Sequence, residues 1–196
     1  MFLAIFAWGQ LAADRKLQMR LTKLGYYADL VLYPAVVLSL IFICLRAPHS
    51  HLFEVFFLWC LIGVVGWTLV EYVMHRFVLH SISIVVKMHE LHHTKPVAFI
   101  GTPSWLSLTA FALAAFVPSY IIGGIEIASG LASGLMLGYL WYVIVHDAVH
   151  RWRLGRESIL YRAKLRHARH HRNYGRREGN FGVTTGLCDW LLGTAI

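Results

Sequence analysis

The sequence predicts an all-α integral membrane protein of four transmembrane helices with a histidine-rich helical cap on the cytoplasmic side, and three observations carry that reading. Of 196 residues 58 % are hydrophobic and only 14 % charged, and mean hydropathy is +0.58, outside the usual balance of a soluble domain. Four stretches approach the ~20 mostly apolar residues that cross a hydrocarbon core. Ten of the twelve histidines, and 17 of the 18 Lys and Arg residues, fall in segments that four spans place on one side.

The length suits one domain, 1–196, with no internal repeat. Residues 1–25 carry an apolar run (MFLAIFAWGQLAADRK) whose positive charge follows it, the reverse of a secretory signal. Arg15, Lys16, Arg20 and Lys23 alternate with Leu11, Leu17, Leu21 and Leu24, which predicts an interfacial amphipathic helix. The four spans are expected at 28–45, 52–73, 105–122 and 127–145, and 146–196 is expected to form a metal-binding tail. Arg46 is the one basic residue in the 46–51 connection, and 123–126 holds none. The positive-inside rule therefore puts both termini and the histidines in the cytoplasm. A charge of +8 on so apolar a chain speaks for this bias, not for nucleic acid. Cys44, Cys60 and Cys188 match no disulfide, zinc or redox spacing. His49 and His51 fall in the opposite loop and read as ordinary polar residues.

The clustered histidines carry the chemistry. His89, His92 and His93 stand at i, i+3, i+4, and His167, His170 and His171 repeat the pattern, so each triplet can point to one centre. His146 and His150 are one turn apart. His75 and His80 are five apart, roughly 140° around an ideal helix. They converge only if the helix ends or bends between them, or else each meets a different metal, which suits a two-metal site. Ten histidines exceed the four ligands of one zinc, so two ions with four or five nitrogens each are expected. Iron accepts five or six ligands and leaves room for dioxygen, and no cysteine set competes for a cluster. Glu71, one turn before His75 on an apolar span, and Asp147, beside His146, are expected as carboxylates that orient ligand imidazoles. The tail arginines suit lipid headgroups or an acidic electron-donor protein, and topology signalling alone also accounts for them.

E-Y-V-M-H-R-F-V-L-H (71–80), H-E-L-H-H-T-K-P (89–96), L-R-H-A-R-H-H (165–171) and N-F-G-V-T-T-G-L-C-D-W-L-L-G-T (180–194) together resemble the fatty acid hydroxylase superfamily. These membrane di-iron proteins include fatty acid and sphingolipid 2-hydroxylases, sterol desaturases and carotenoid hydroxylases. The resemblance implies two Fe ions, with Zn able to occupy the same ligands in purified protein. It also implies hydroxylation of an unactivated C–H bond of a lipid acyl chain, with O2 and two electrons. The chain carries no fused haem domain, which implies a separate electron donor. One box departs: Asp147 precedes His150 by three as in the 2-hydroxylases, but Leu154 stands where a second histidine would follow. H-D-A-V-H (146–150) instead resembles the box of carotenoid hydroxylases and sterol desaturases, and these are the enzymatic alternatives. A metal transporter or sensor is the alternative of another class. It is disfavoured because the first and third spans contain no histidine.

Overall fold

The computed structural model describes residues 20–46 and 52–196, all-helical with no strand among them. Most of the expected amphipathic segment, and His49 and His51, lie outside the described residues. The helices are α1 (Lys23–Tyr27), α2 (Asp29–Arg46), α3 (Phe57–Val73), α4 (Ser83–Thr94), α5 (Ser104–Phe111), α6 (Val117–Arg151), α7 (Ile159–Asn173) and α8 (Leu187–Leu191). π-Helical stretches at Leu52–Phe56, Met74–Leu79 and Ala112–Phe116 extend or join them.

Among the described residues, three helical stretches are long and apolar enough to cross a membrane: Lys23–Arg46, Glu54–Leu79 and Ser104–Arg151. The expected third and fourth spans both lie within the last of these. It is broken at Gly124, whose φ of 78° lies in the left-handed region that only glycine adopts readily. The chain reverses there. The Phe111 and Tyr139 rings sit 5.7 Å apart, whereas a straight helix would separate 28 residues by about 42 Å.

The bundle is held at close range by small residues. Gly130, Gly134 and Gly138 form a stripe at i, i+4, i+8 along α6 against α3. A Cβ on Gly134 would lie 2.0 Å from the Cys60 carbonyl oxygen, so the two backbones touch there. Tyr33, Val37 and Leu40 of α2 pack on Ala132 and Met136 of α6. Outward positions such as Val31, Leu38, Leu61, Val65, Leu113 and Ile121 are exposed and apolar, as lipid-facing surfaces require. α7 differs in kind: Ser158 caps it through the Leu160 N–H, its inner face carries histidines and its outer face arginines.

Candidate metal centre

All ten singled-out histidines meet at one end of the bundle, on or just after four helical segments. His75 lies in the π-helical end of α3 and His80 follows it; α4 supplies His89, His92 and His93. α6 supplies His146 and His150, and α7 supplies His167, His170 and His171. The nitrogens form two sets. His75, His80, His89, His93 and His170 offer ligand atoms all within 4.8 Å of one another, and His92, His150, His167 and His171 do the same. His146 joins the second set, its Nε2 3.1 Å from that of His92. The sets abut: the His93 and His171 rings stack at 4.2 Å.

Each H-x-x-H-H triplet can by its spacing point to one centre, yet both divide. His89 and His93 face the first set and His92 the second; His167 and His171 face the second and His170 the first. Residues at i+3 and i+4 point about 100° apart, so a triplet inserted between two centres feeds both. Separate metals also suited His75 and His80, but both belong to the first set, their rings 5.3 Å apart. The π-helical i→i+5 register of Met74–Leu79 turns residues five apart toward one side, and such bulges recur at functional sites.

The carboxylates do something other than expected. Among the described residues, neither Glu71 nor Asp147 hydrogen-bonds a histidine. Buried Glu71 accepts from the N–H groups of Val183 and Thr184 (the latter 2.9 Å) and from the Thr184 hydroxyl. It pins the closing segment, and the segment reaches the histidines. His75 Nδ1–H donates to Phe181 O at 2.6 Å, and His170 Nδ1–H donates to Gly179 O at 2.9 Å. Between those carbonyls Asn180 takes φ 57°, and its side-chain amide is bonded to Ile196 O and N. Buried Asp189 accepts from the N–H groups of Phe181 and Gly182 and from the Thr194 hydroxyl. Asp147 instead pairs with Arg151 at 2.6 Å, with Tyr27 OH 3.4 Å away. Two contacts were not foreseen: Glu178 Oε2, 3.0 Å from His80 Nδ1, and Tyr174, stacked on His93 at 4.1 Å. No spacing rule points to a backbone carbonyl, so no signal in the sequence marks Phe181 or Gly179.

Whether this donor set suits metal ions can be tested on its hydrogen atoms. A carbonyl only accepts, so His75 and His170 carry hydrogen on Nδ1, and a neutral ring then has a bare lone pair on Nε2. Burial keeps the rings neutral. It drives His92 and His93 down to about 2, His170 to about 3 and His171 to about 4, and lowers His80 and His89 too. His89 Nε2 lies 3.1, 3.0 and 3.0 Å from Nε2 of His75, His80 and His93, and its single hydrogen could serve only one of them. Cations among the nitrogens would resolve that repulsion. The histidine sets fit two metal ions of the nitrogen-binding kind.

A family profile described as fatty acid hydroxylase matches residues 60–194, which contain all ten histidines. The chain belongs to the fatty acid hydroxylase family. Within that family it is 33 % identical over 151 residues to fatty acid 2-hydroxylase of Mus musculus, an alignment covering 69 % of the chain and 38 % of the relative. It is 28 % identical over 188 residues to the ceramide very long chain fatty acid hydroxylase scs7 of Schizosaccharomyces pombe, covering 89 % and 52 %. The chain thus spans well under two thirds of either relative. A solved structure of full-length scs7p, in which only the hydroxylase domain is visible, superposes with a TM-score of 0.71 at 23 % identity. That match covers 91 % of this chain and 68 % of the other, and it establishes the shared fold.

Proposed function

We propose that this chain hydroxylates a saturated carbon of a lipid acyl chain, using dioxygen and two electrons, with its ten histidines holding two iron ions. The observation that carries the reading is a cavity of about 180 Å³ inside the bundle. Its walls include Trp67, Met74, Leu79 and Met88, apolar enough for a stretch of alkyl chain, and it opens onto His75 and His89 of one set and His92 and His146 of the other. Iron held by neutral nitrogen ligands with open positions activates dioxygen when bound, and zinc occupies such ligands readily in purified protein.

The chain's own residues supply orientation. The Phe181 and Gly179 carbonyls fix the tautomers of His75 and His170, and Glu178 does the same for His80, so that each Nε2 faces inward. The Tyr142 ring lies parallel to that of His146, 5.4 Å away, and walls the cavity beside Trp67. The apolar walls exclude water from the reacting end of the lipid.

Two antiparallel arms meeting at Gly124 support a reading of four crossings, and the concentration of Lys and Arg around the histidine end supports a cytoplasmic side for it. The arginine-rich outer face of α7 suits an acidic electron-donor protein. Relatives named as fatty acid and ceramide hydroxylases favour an acyl chain over a carotenoid ring or sterol. Lipid extracts from cells with and without the gene should differ by acyl species that have gained one oxygen. A changed pigment profile with unchanged acyl lipids would instead support ring hydroxylation, and purified protein with one metal ion per chain or none would remove the two-metal reading.

A further inference from the structure

The cavity beneath the histidines has a second, polar end. Tyr139 stands two turns before His146 on α6, about 10 Å along the helix axis. There the side chain of Asp29, only 5 % exposed, enters the cavity wall at the start of α2. Ser104 Oγ donates to its Oδ1, and Tyr139 OH donates to its Oδ2 at 2.8 Å. A carboxylate inside an apolar bundle is costly, and such residues mark substrate paths more often than struts. Two hydroxyl donors also leave it unsaturated, because a carboxylate offers about four lone-pair sites.

Resting on the hydroxylase reading, we propose that Asp29 is the specificity-determining acceptor of this cavity, binding an uncharged hydrogen-bond donor (an amide N–H or a hydroxyl) at the polar end of the lipid. A free fatty acid would instead bring its carboxylate against that of Asp29 in surroundings of low dielectric, where like charges repel strongly. The cavity therefore selects acyl chains already joined to a neutral donor group over free acids.

Binding, not turnover, tests this. Three probes sharing one long saturated chain, an N-alkyl amide, a methyl ester and the free acid, are titrated at pH 8 against the full chain in neutral detergent, by displacement of a fluorescent acyl probe. Hydrogen bonds to a charged acceptor predict the amide to bind about tenfold or more tighter than the ester. The acid should bind more weakly than the ester. In Asp29→Asn the acid should gain about tenfold relative to the ester. Wild-type protein that binds the acid as tightly as the amide would overturn the proposal, and so would an Asp29→Asn variant that shifts all three affinities by one factor, as a mere strut would. If that variant does not fold, Ser104→Ala keeps the charge and should keep the ranking; loss of the ranking there would equally overturn it. Because no turnover enters, the ranking is readable even if the chain proves not to hydroxylate. Hydroxylation of free acids without preference would sink only the role of Asp29.

Discussion

His80 Nε2 and His170 Nε2 face one another at 3.3 Å while each ring's Nδ1 is already engaged, with Glu178 and with the Gly179 carbonyl. Two inward lone pairs at that range repel unless a cation stands between them. Metal removal should therefore loosen the whole histidine end. A ligand present at about 1,000 times its Kd adds about 4 kcal/mol to folding stability. Chelator-treated protein should melt well below the metal-loaded form, and re-addition of Fe(II) should restore it. Identical melting curves would count against metal binding here.

The division of the triplets makes the two sets separately addressable. His89→Ala removes the nitrogen at the centre of the first set, and His92→Ala removes one from the second. Each variant should lose close to one ion per chain, and activity should vanish in both. Elemental analysis decides this; loss of both ions from either variant would mean that the sets fold as a single unit.

Glu71 acts on the site from a distance, through the loop it holds. Glu71→Ala strands the N–H groups of Val183 and Thr184, and a buried donor left unpaired costs about 1–3 kcal/mol. The Phe181 carbonyl should then drift from His75, weakening metal affinity on the order of tenfold or more. Glu71→Gln keeps an acceptor and should recover most of that loss. Metal affinity measured by competition with a chelator separates the two variants.

The gathering of the histidines and the long apolar helices were legible because each depends on periodicity or count. The assignment of histidines to sets was not, since ideal α-helical spacing sends His75 and His80 apart and only the π-helical turn at Met74–Leu79 reunites them. The orienting groups were hidden for another reason. Phe181 and Gly179 contribute backbone oxygens, which every residue has, so only their fold position distinguishes them. Glu71 is a buried carboxylate, as its place on an apolar span suggests, but it bonds Val183 and Thr184 and no histidine among the described residues. Helix spacing shows what lies one turn away; Thr184 is more than a hundred residues along the chain.

The glycine stripe yields a paired test of the membrane packing. Gly134→Leu would drive a side chain into the Cys60 carbonyl, backbone against backbone, and should abolish folded protein in membranes. Gly66 lies on α3, the helix of Cys60, with nothing within 4 Å of a Cβ. Gly66→Ala should therefore be harmless or stabilise by about 0.5–1 kcal/mol, because alanine loses less backbone freedom in a helix. Thermal unfolding in detergent checks both.

The metal-free protein should be acid-labile, and the sign follows from the histidines outside the spans. In the unfolded chain a histidine titrates near its ordinary value of about 6.5. Folded, His92 and His93 lie at about 2, His170 at about 3 and His171 at about 4, all because burial disfavours the imidazolium. Between those values the unfolded state binds more protons. Stability is therefore complete above about pH 6.5 and is lost as pH falls below it, by about 1.4 kcal/mol per pH unit for each such group. Since a whole domain holds only about 5–15 kcal/mol, four groups acting together should unfold the metal-free histidine end between about pH 6 and pH 4. Metal ions, which require the same neutral rings, should move that transition to lower pH. Melting curves of metal-free and loaded protein across pH 4–8 test this, and a metal-free protein equally stable at pH 4.5 and pH 7.5 would refute it.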